Sequence, residues 1–151
     1  MDNKHSINIV EDITLVTFKN IEYDLSILSS MFEEIGALGI DVDMISLSPS
    51  QQKSTCVSFT IKDEALPGIL KYASKLKKQG DIKFTVCSGN CKISILDESM
   101  ENSPGFASKI FKAISLVNTD LRLITTSEIQ ISILVDTASE PEVINAIKKA
   151  I

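Results

Sequence analysis

The chain has 151 residues, of which 44% are hydrophobic and 23% are charged, and this composition is typical of a chain that folds around a packed core. Its formal net charge of -5 at pH 7 argues against nucleic-acid binding, because proteins that bind phosphate backbones carry basic patches. The sequence has no apolar run of the roughly 20 residues that cross a bilayer and no signal peptide, so we expect a cytoplasmic protein with no membrane partner.

The first half of the chain alternates between strand and helix patterns. After a short apolar segment at residues 6–10, the β-branched run ITLVTF at residues 13–18 predicts a strand. Apolar residues then recur at helical spacing from Leu25 to Leu38. Two further strands at 39–46 and 56–61, a helix around 69–76 and a strand at 83–86 complete a β-α-β-β-α-β unit.

The second half repeats most of this order. A helix with an apolar face starts at Pro104-Gly105, where a proline costs no hydrogen bond, and its face is predicted to be buried. Strands are predicted at 118–125 and 129–135. The final helix contains Ser139 and Glu142 in the spacing of a capping box. The predicted apolar face of the first of these helices consists of Phe106, Ala107, Ile110, Phe111, Ile114 and Val117.

Two internal copies explain this order. Phe32 aligns with Phe111 at an offset of 79 residues, and Ser58 aligns with Ser132 at an offset of 74, so the first copy has five more residues in the loop at 48–54. We therefore predict two modules, at residues 11–87 and 88–151. The second copy lacks the last strand, and our hypothesis is that an N-terminal strand at residues 5–10 completes it.

Catalytic and metal-binding patterns are missing from the sequence. The lone His5 lies in a terminus that we expect to be frayed, and no glycine-rich phosphate loop follows a strand. Cys56, Cys87 and Cys91 are predicted to be reduced, buried thiols, because the last two are separated by three residues and zinc motifs have two. We expect no enzymatic activity, no cofactor and no metal site.

The most specific motif is ITTSEIQISILV at residues 124–135, which resembles the ACT family and, within it, the paired ACT modules at the regulatory end of aspartokinases. Met100, Pro104-Gly105 and the helix around Phe111 also stand where that family has them, and in the first copy residues 40–46 and 58–60 are similar to the pattern. The resemblance implies an α+β fold of two ferredoxin-like ACT modules whose sheets join edge to edge in a dimer.

The resemblance also implies a binding site for an amino acid such as lysine or threonine at an inter-module interface. The effector carboxylate would bind backbone amides near the start of the first helix of a module, where N–H groups are unpaired. Its ammonium group would bind acidic or amide side chains at the start of the following strand. Carried over to this chain, the ligand-binding residues are Tyr23, Asp24, Ser26, Asp41, Asn102, Ser103, Gly105, Asn118, Asp120 and Leu121.

The first copy departs from the family pattern at its helix start. Tyr23-Asp24-Leu25-Ser26 replaces the expected acidic residue and Pro-Gly, so Glu22 or Asp24 would have to supply the acidic contact. Our leading hypothesis is a non-catalytic homodimer that binds an amino-acid effector and allosterically controls amino-acid biosynthesis, with a separate aspartokinase catalytic chain as candidate partner. The alternative is a structural dimerisation module with a decayed ligand pocket, and a third reading is a metal or redox module that uses Cys87 and Cys91.

Overall fold

The computed structural model describes residues 5–49 and 51–151. It contains six strands and four α-helices within these ranges. In chain order they are β1 (His5–Glu22), α1 (Leu25–Ala37), β2 (Ile45–Leu47), β3 (Ser54–Lys62), α2 (Leu66–Lys77), β4 (Lys83–Asp97), α3 (Phe106–Ser115), β5 (Leu123–Thr126), β6 (Gln130–Asp136) and α4 (Glu140–Ala150).

The chain divides into two compact units. One comprises residues 13–88, and the other comprises residues 5–12 together with residues 89–151. The long strands β1 and β4 each contribute one end to each unit. Each unit therefore has two helices and four strands, and the predicted α+β fold class is confirmed.

The unit of residues 13–88 has the strand order β2-β3-β1-β4. β3 lies antiparallel to both β1 and β2, with Val16 opposite Phe59 in the first pair. Alternate residues of β3 are buried because successive side chains of a strand point to opposite faces. These side chains form one core with α1 and α2, and its fully buried members include Phe18, Ile35, Phe59 and Ile69.

The unit of residues 5–12 and 89–151 has the strand order β1-β4-β6-β5. β6 lies antiparallel to β4 and β5, with Ile93 and Ile124 on either side of Ile133. Alternate residues of β4 and β6 pack with α3 and α4 in a second core, and Ile7 packs against the same core from the N-terminal end of β1. Its fully buried members include Ile93, Ile110, Ile133 and Val143.

The strand prediction was too long at two places. Residues 40–44 form no regular strand before β2, and residues 118–122 form none before β5. Thr60 of β3 explains the first case. Its carbonyl accepts from the Asp43 amide, its amide donates to the Met44 carbonyl and its hydroxyl accepts from the Met44 amide, each at 3.0 Å, so two residues lie opposite one and the regular ladder is interrupted. The second case, residues 118–122 after α3, includes three of the predicted ligand-binding residues, and these therefore lie in a loop.

The predicted burial of Phe111 is wrong, since 48% of its surface is exposed. Helical residues advance by about 100° each, and Phe111 therefore points well away from the face formed by Phe106, Ile110 and Ile114. The predicted capping box at α4 is also absent. Ser139 makes no side-chain cap on α4, and its hydroxyl and amide instead donate to the Asp136 carboxylate at 2.8 and 3.0 Å.

Candidate functional site

The loop before α1 is closed by its own carboxylate. Asp24 is the N-cap residue, and its Oδ1 accepts hydrogen bonds from the Ser26 amide at 2.8 Å and the Ser26 hydroxyl at 2.7 Å. These two bonds lower the pKa of the Asp24 carboxyl, because they stabilise its charged form. Tyr23 is half exposed, and its amide donates to the Lys53 carbonyl at 2.8 Å. Asp24 therefore occupies an amide at the helix start that an effector carboxylate would need.

The loop before α3 is built differently. Gly105 is the N-cap residue, with φ of 91°, and no side chain caps the helix. A side chain at this position would be strained in the left-handed region, and nothing lies within 4 Å of where its Cβ would be. Ser103 turns the chain into the helix, as its carbonyl accepts from the Phe106 amide at 3.3 Å. The exposed residues Asn102 and Ser103 flank an uncapped helix end whose amides suit an anion.

The remaining predicted residues follow the first helix of each unit. Asn118 and Asp120 are exposed in the loop between α3 and β5, whereas Leu121 is half-buried against the core. Asp41 is exposed in the corresponding loop before β2. Thr119 anchors its loop, because its amide donates to the Val117 carbonyl at 2.9 Å and its hydroxyl donates to Asp136 Oδ1 at 3.2 Å.

Neither unit alone brings all its predicted ligand-binding residues together. Residues 102–105 precede α3 and residues 118–121 follow it, so the helix of ten residues separates them by about 15 Å. Residues 23–26 and Asp41 are likewise on opposite sides of α1, which has 13 residues and a length of about 20 Å. A free amino acid such as threonine is shorter than either helix.

A polar cluster that sequence reasoning missed supports the loop of Asn118 and Asp120. Arg122 Nη1 donates to Oδ1 of the buried Asn90, and the Arg122 amide donates to the Leu134 carbonyl at 2.9 Å. The bonds from Ser139, together with Thr119 and the nearby Arg122 charge, outweigh burial and lower the pKa of the Asp136 carboxyl. The spacing of Asp136 and Ser139 could have indicated this turn, because Asp commonly caps the third residue after it.

His5 was predicted to lie in a frayed terminus, and this is wrong. It is the first residue of β1, and its Nδ1 lies 2.5 Å from Oδ2 of Asp97, whose side chain is 1% exposed. The same carboxylate accepts from the Ser99 amide at 2.8 Å, and the His5 ring lies 6.3 Å from the Phe106 ring. A lone histidine at a chain end carries no sequence signal for such a pair, because its partner is 92 positions away.

The described residues give little support for a metal site, a reactive thiol or a membrane span. Within residues 5–49 and 51–151, no group of three or more His, Cys, Asp or Glu side chains is placed to hold a metal ion. The three cysteines are free thiols, and burial raises the pKa of the Cys91 thiol to about 11, which keeps it protonated. In the same ranges no helix has both the length and the apolar character needed to span a bilayer.

Comparison with known proteins finds one family match and a set of similar proteins. The model of the ACT domain family matches residues 93–151. The aspartokinase of Geobacillus stearothermophilus is 30% identical over 126 residues, which are 83% of this chain and 30% of that protein. The chain thus spans about a third of the length of the curated aspartokinases it matches.

Solved structures have the same fold. The ligand-free regulatory subunit of aspartate kinase from Thermus thermophilus matches with a TM-score of 0.83 and 21% identity, over 95% of each chain. Aspartokinase III of E. coli in complex with lysine and aspartate matches with a TM-score of 0.69 and 16% identity, over 96% of this chain and 32% of that chain. Residues 93–151 thus match the ACT domain family, the chain resembles aspartokinases over most of its length, and its fold is that of aspartate kinase regulatory subunits.

Proposed function

We propose that the chain is a regulatory ACT protein of the aspartokinase type that binds a free amino acid of the lysine or threonine class. It would act without catalysis of its own, as a homodimer that controls a separate aspartokinase catalytic chain. The similarity to an aspartate kinase regulatory subunit and to a lysine-bound aspartokinase supports this class of function. Binding to one of two dimer arrangements more tightly than to the other would transmit the signal.

The uncapped start of α3 is the observation that carries the proposal. No side chain caps this helix, and Gly105 leaves the approach to its first amides open. The amides of Ala107 and Ser108 would receive the effector carboxylate, helped by the partial positive charge of the helix end. Because Asn118 and Asp120 lie at the other end of α3, the ammonium group would bind the corresponding loop of a module in the partner copy.

For the loop before α1, the contacts of Asp24 favour the alternative hypothesis of a decayed ligand pocket. Asp24 binds the Ser26 amide and hydroxyl, so this helix start already has an anion of its own. We propose that this loop has lost the effector and serves dimer structure, while the loop before α3 retains the ligand. The chain would then bind one effector per copy.

The test removes one amide donor from α3. Ala107→Pro deletes the N–H of the second residue of the helix, a position where α2 and α4 already carry Pro67 and Pro141. Isothermal titration calorimetry with lysine and with threonine would measure the dissociation constant of each variant. Since a hydrogen bond to a charged group contributes about 1.5–3 kcal/mol, we expect the affinity to fall by at least about tenfold.

Three further variants locate the ammonium partner and provide a control. Asp41→Asn and Asp120→Asn remove the acidic side chains after the two first helices, and the one that contributes the ammonium contact should lower affinity comparably. Glu64→Gln makes the same charge change at an exposed residue outside both loops and should leave affinity unchanged. If the wild-type chain binds neither amino acid, or if Ala107→Pro binds as tightly as wild type, this assignment is wrong.

A further inference from the structure

An open groove runs between α3 and α4 on the side of these helices that faces solvent. Its volume is about 640 Å³. Buried or half-buried apolar residues form its floor, namely Ala113, Val117, Ala146 and Ala150. Leu116 stands at its rim with 80% of its surface exposed, the largest exposed fraction among the large hydrophobic residues described. An apolar floor with an exposed leucine beside it is suited to bury an apolar partner surface.

The rim of this groove is positively charged in a chain whose net charge is -5. Lys109 and Lys112 stand on α3 and Lys149 stands on α4, so both sides of the groove carry ammonium groups. Glu142 is the one acidic residue among those that line it. The ion pairs of His5 with Asp97 and of Lys75 with Glu34 involve none of these side chains.

The other copy provides an internal comparison. A groove of about 590 Å³ lies between α1 and α2, and there Lys75 Nζ contacts Glu34 Oε2 at 3.0 Å and bridges the two helices. By the repeat offsets Lys75 corresponds to Lys149, whereas Glu34 corresponds to Ala113. The bridge therefore has no equivalent in the groove of α3 and α4, where Lys149 is left without a carboxylate across the groove.

Further replacements change the size of the groove and the placement of its charges. Tyr72, which lines the first groove, corresponds to Ala146, so an aromatic ring is replaced by a methyl group in the floor. On α3, Lys109 and Lys112 stand where the first copy has Ser30 and Glu33. On α4, Glu142 and Asn145 stand where the first copy has Gly68 and Lys71, so each groove is lined by three lysines and one glutamate. The difference lies in their placement: the lysines of the first groove all belong to α2 and its C-cap, whereas those of the α3 and α4 groove stand on both helices.

We propose that this groove docks an acidic amphipathic helix of a partner protein. A helix that lays an apolar face into a groove is an established mode of recognition, and α3 and α4 are about 15 Å long, the length of three helical turns. Carboxylates on the two flanks of such a helix would pair with Lys109 and Lys112 on one side and with Lys149 on the other. Charge of this kind speeds association and selects the partner.

A second copy of the chain does not fit this surface equally well. A symmetric contact of the groove with itself would bring two sets of three lysines together with only one glutamate from each copy, and the excess of like charges would repel. The groove of α1 and α2 is lined by Lys71, Lys75 and Lys78, so it offers no complementary charge either. The proposal is independent of amino-acid binding at the start of α3, because it concerns the outer face of the helices.

The test uses a defined probe and a matched control variant. The probe is a fluorescein-labelled peptide of about 15 residues, long enough to form a helix, with leucine on one face and glutamate on both flanks. Its control has lysine in place of every glutamate. Fluorescence anisotropy would measure binding to the full chain, to the triple variant Lys109→Glu/Lys112→Glu/Lys149→Glu, and to Lys71→Glu/Lys75→Glu/Lys78→Glu, which changes the net charge by the same amount.

We expect the acidic peptide to bind the wild-type chain and the lysine peptide not to bind. The triple variant of the α3 and α4 groove should weaken binding by at least about tenfold, whereas the variant of the other groove should change it by less than about twofold. Leu116→Asn leaves every charge in place and should also weaken binding, which keeps the test valid if the triple variant does not fold. Circular dichroism would confirm the fold of each variant.

Three outcomes would overturn the proposal. The acidic peptide could fail to bind the wild-type chain, or both charge variants could lose it equally, which would indicate attraction by overall charge alone. Sedimentation could also reveal a dimer of the wild-type chain that the α3 and α4 variant loses, and the occupant of the groove would then be a second copy. Amino-acid binding by the triple variant, measured by calorimetry, should be normal and separates this result from the proposed function.

Discussion

Replacing Asp97 by alanine tests whether the N-terminal end of β1 is fastened to the unit that contains α3 and α4. The carboxylate accepts from the Ser99 amide and lies against His5, and both contacts are lost. Loss of an N-cap costs about 1 kcal/mol, and loss of a hydrogen bond to a buried charged group costs about 1.5–3 kcal/mol. We therefore expect the free energy of unfolding to fall by about 2.5–4 kcal/mol, and the melting temperature to fall by about 5–15 °C.

Asp24→Ala is the matched control. Asp24 is also an N-cap that accepts from the amide two residues later at 2.8 Å, but it is exposed and has no histidine partner. It should therefore lower the free energy of unfolding by clearly less than Asp97→Ala, because only an exposed N-cap bond is lost. Urea unfolding followed by circular dichroism would measure both free energies, and hydrogen exchange should place the effect of Asp97→Ala in residues 89–151. Equal costs for the two variants would refute the role assigned to His5.

The contribution of Asp97 should also depend on pH. Burial raises the pKa of its carboxyl, but the bonds from Ser99 and the contact with His5 outweigh burial and hold the pKa below its ordinary value. As the pH falls, the unfolded chain therefore takes up this proton first, near a pKa of about 3.9. The difference in stability between wild type and Asp97→Asn should be full above that pH and should shrink as the pH falls toward the lower, folded pKa.

Two other predictions concern the cores of the two units, one prediction for each core. Burial, helped by the charge of Glu34, raises the pKa of Tyr72 to about 12, and its buried hydroxyl has no hydrogen-bond partner among the described residues. Tyr72→Phe should therefore be neutral or stabilising at pH 7, and between pH 10 and about 12 the wild type should lose stability that this variant keeps, because the unfolded tyrosine ionises first. Deletion of residues 1–12 removes Ile7 from the core it packs against, so it should lower amide protection in residues 89–151 and leave residues 13–88 protected, as hydrogen exchange would measure.

Much of the fold could be predicted because the repeat and the alternation of apolar residues are local patterns. Val57, Phe59 and Ile61 of β3 align with Ile131, Ile133 and Val135 of β6, and all six side chains are buried. Phe111 was misassigned because it lies beside Ile110 in the sequence, and a helix turns neighbouring residues onto different faces. The capping role of Asp136 was missed because Ser139 and Glu142 offered an equally good local pattern for the same helix start.

The candidate site was less predictable because it depends on which polar groups are already satisfied. The sequence of the loop before α1 identifies Asp24 as an acidic residue, but its side chain turns back onto Ser26 and closes the helix end. Arg122 and Asn90 are 32 positions apart, and no local pattern connects them. Contacts between residues so far apart in sequence form only in the tertiary fold, so the spacing of apolar residues along the chain does not predict them.

Because β1 belongs to both units, the two units become complete at different times during synthesis of the chain. The unit of residues 13–88 has all of its residues by the time residue 88 leaves the ribosome, so it can fold while the rest is still being synthesised. Residues 5–12 must wait for a partner sequence that begins at residue 89, and the contact of His5 with Asp97 closes a loop of more than 90 residues. Such distant pairings are slow to form, so the last step of folding should be the docking of the first residues of the chain.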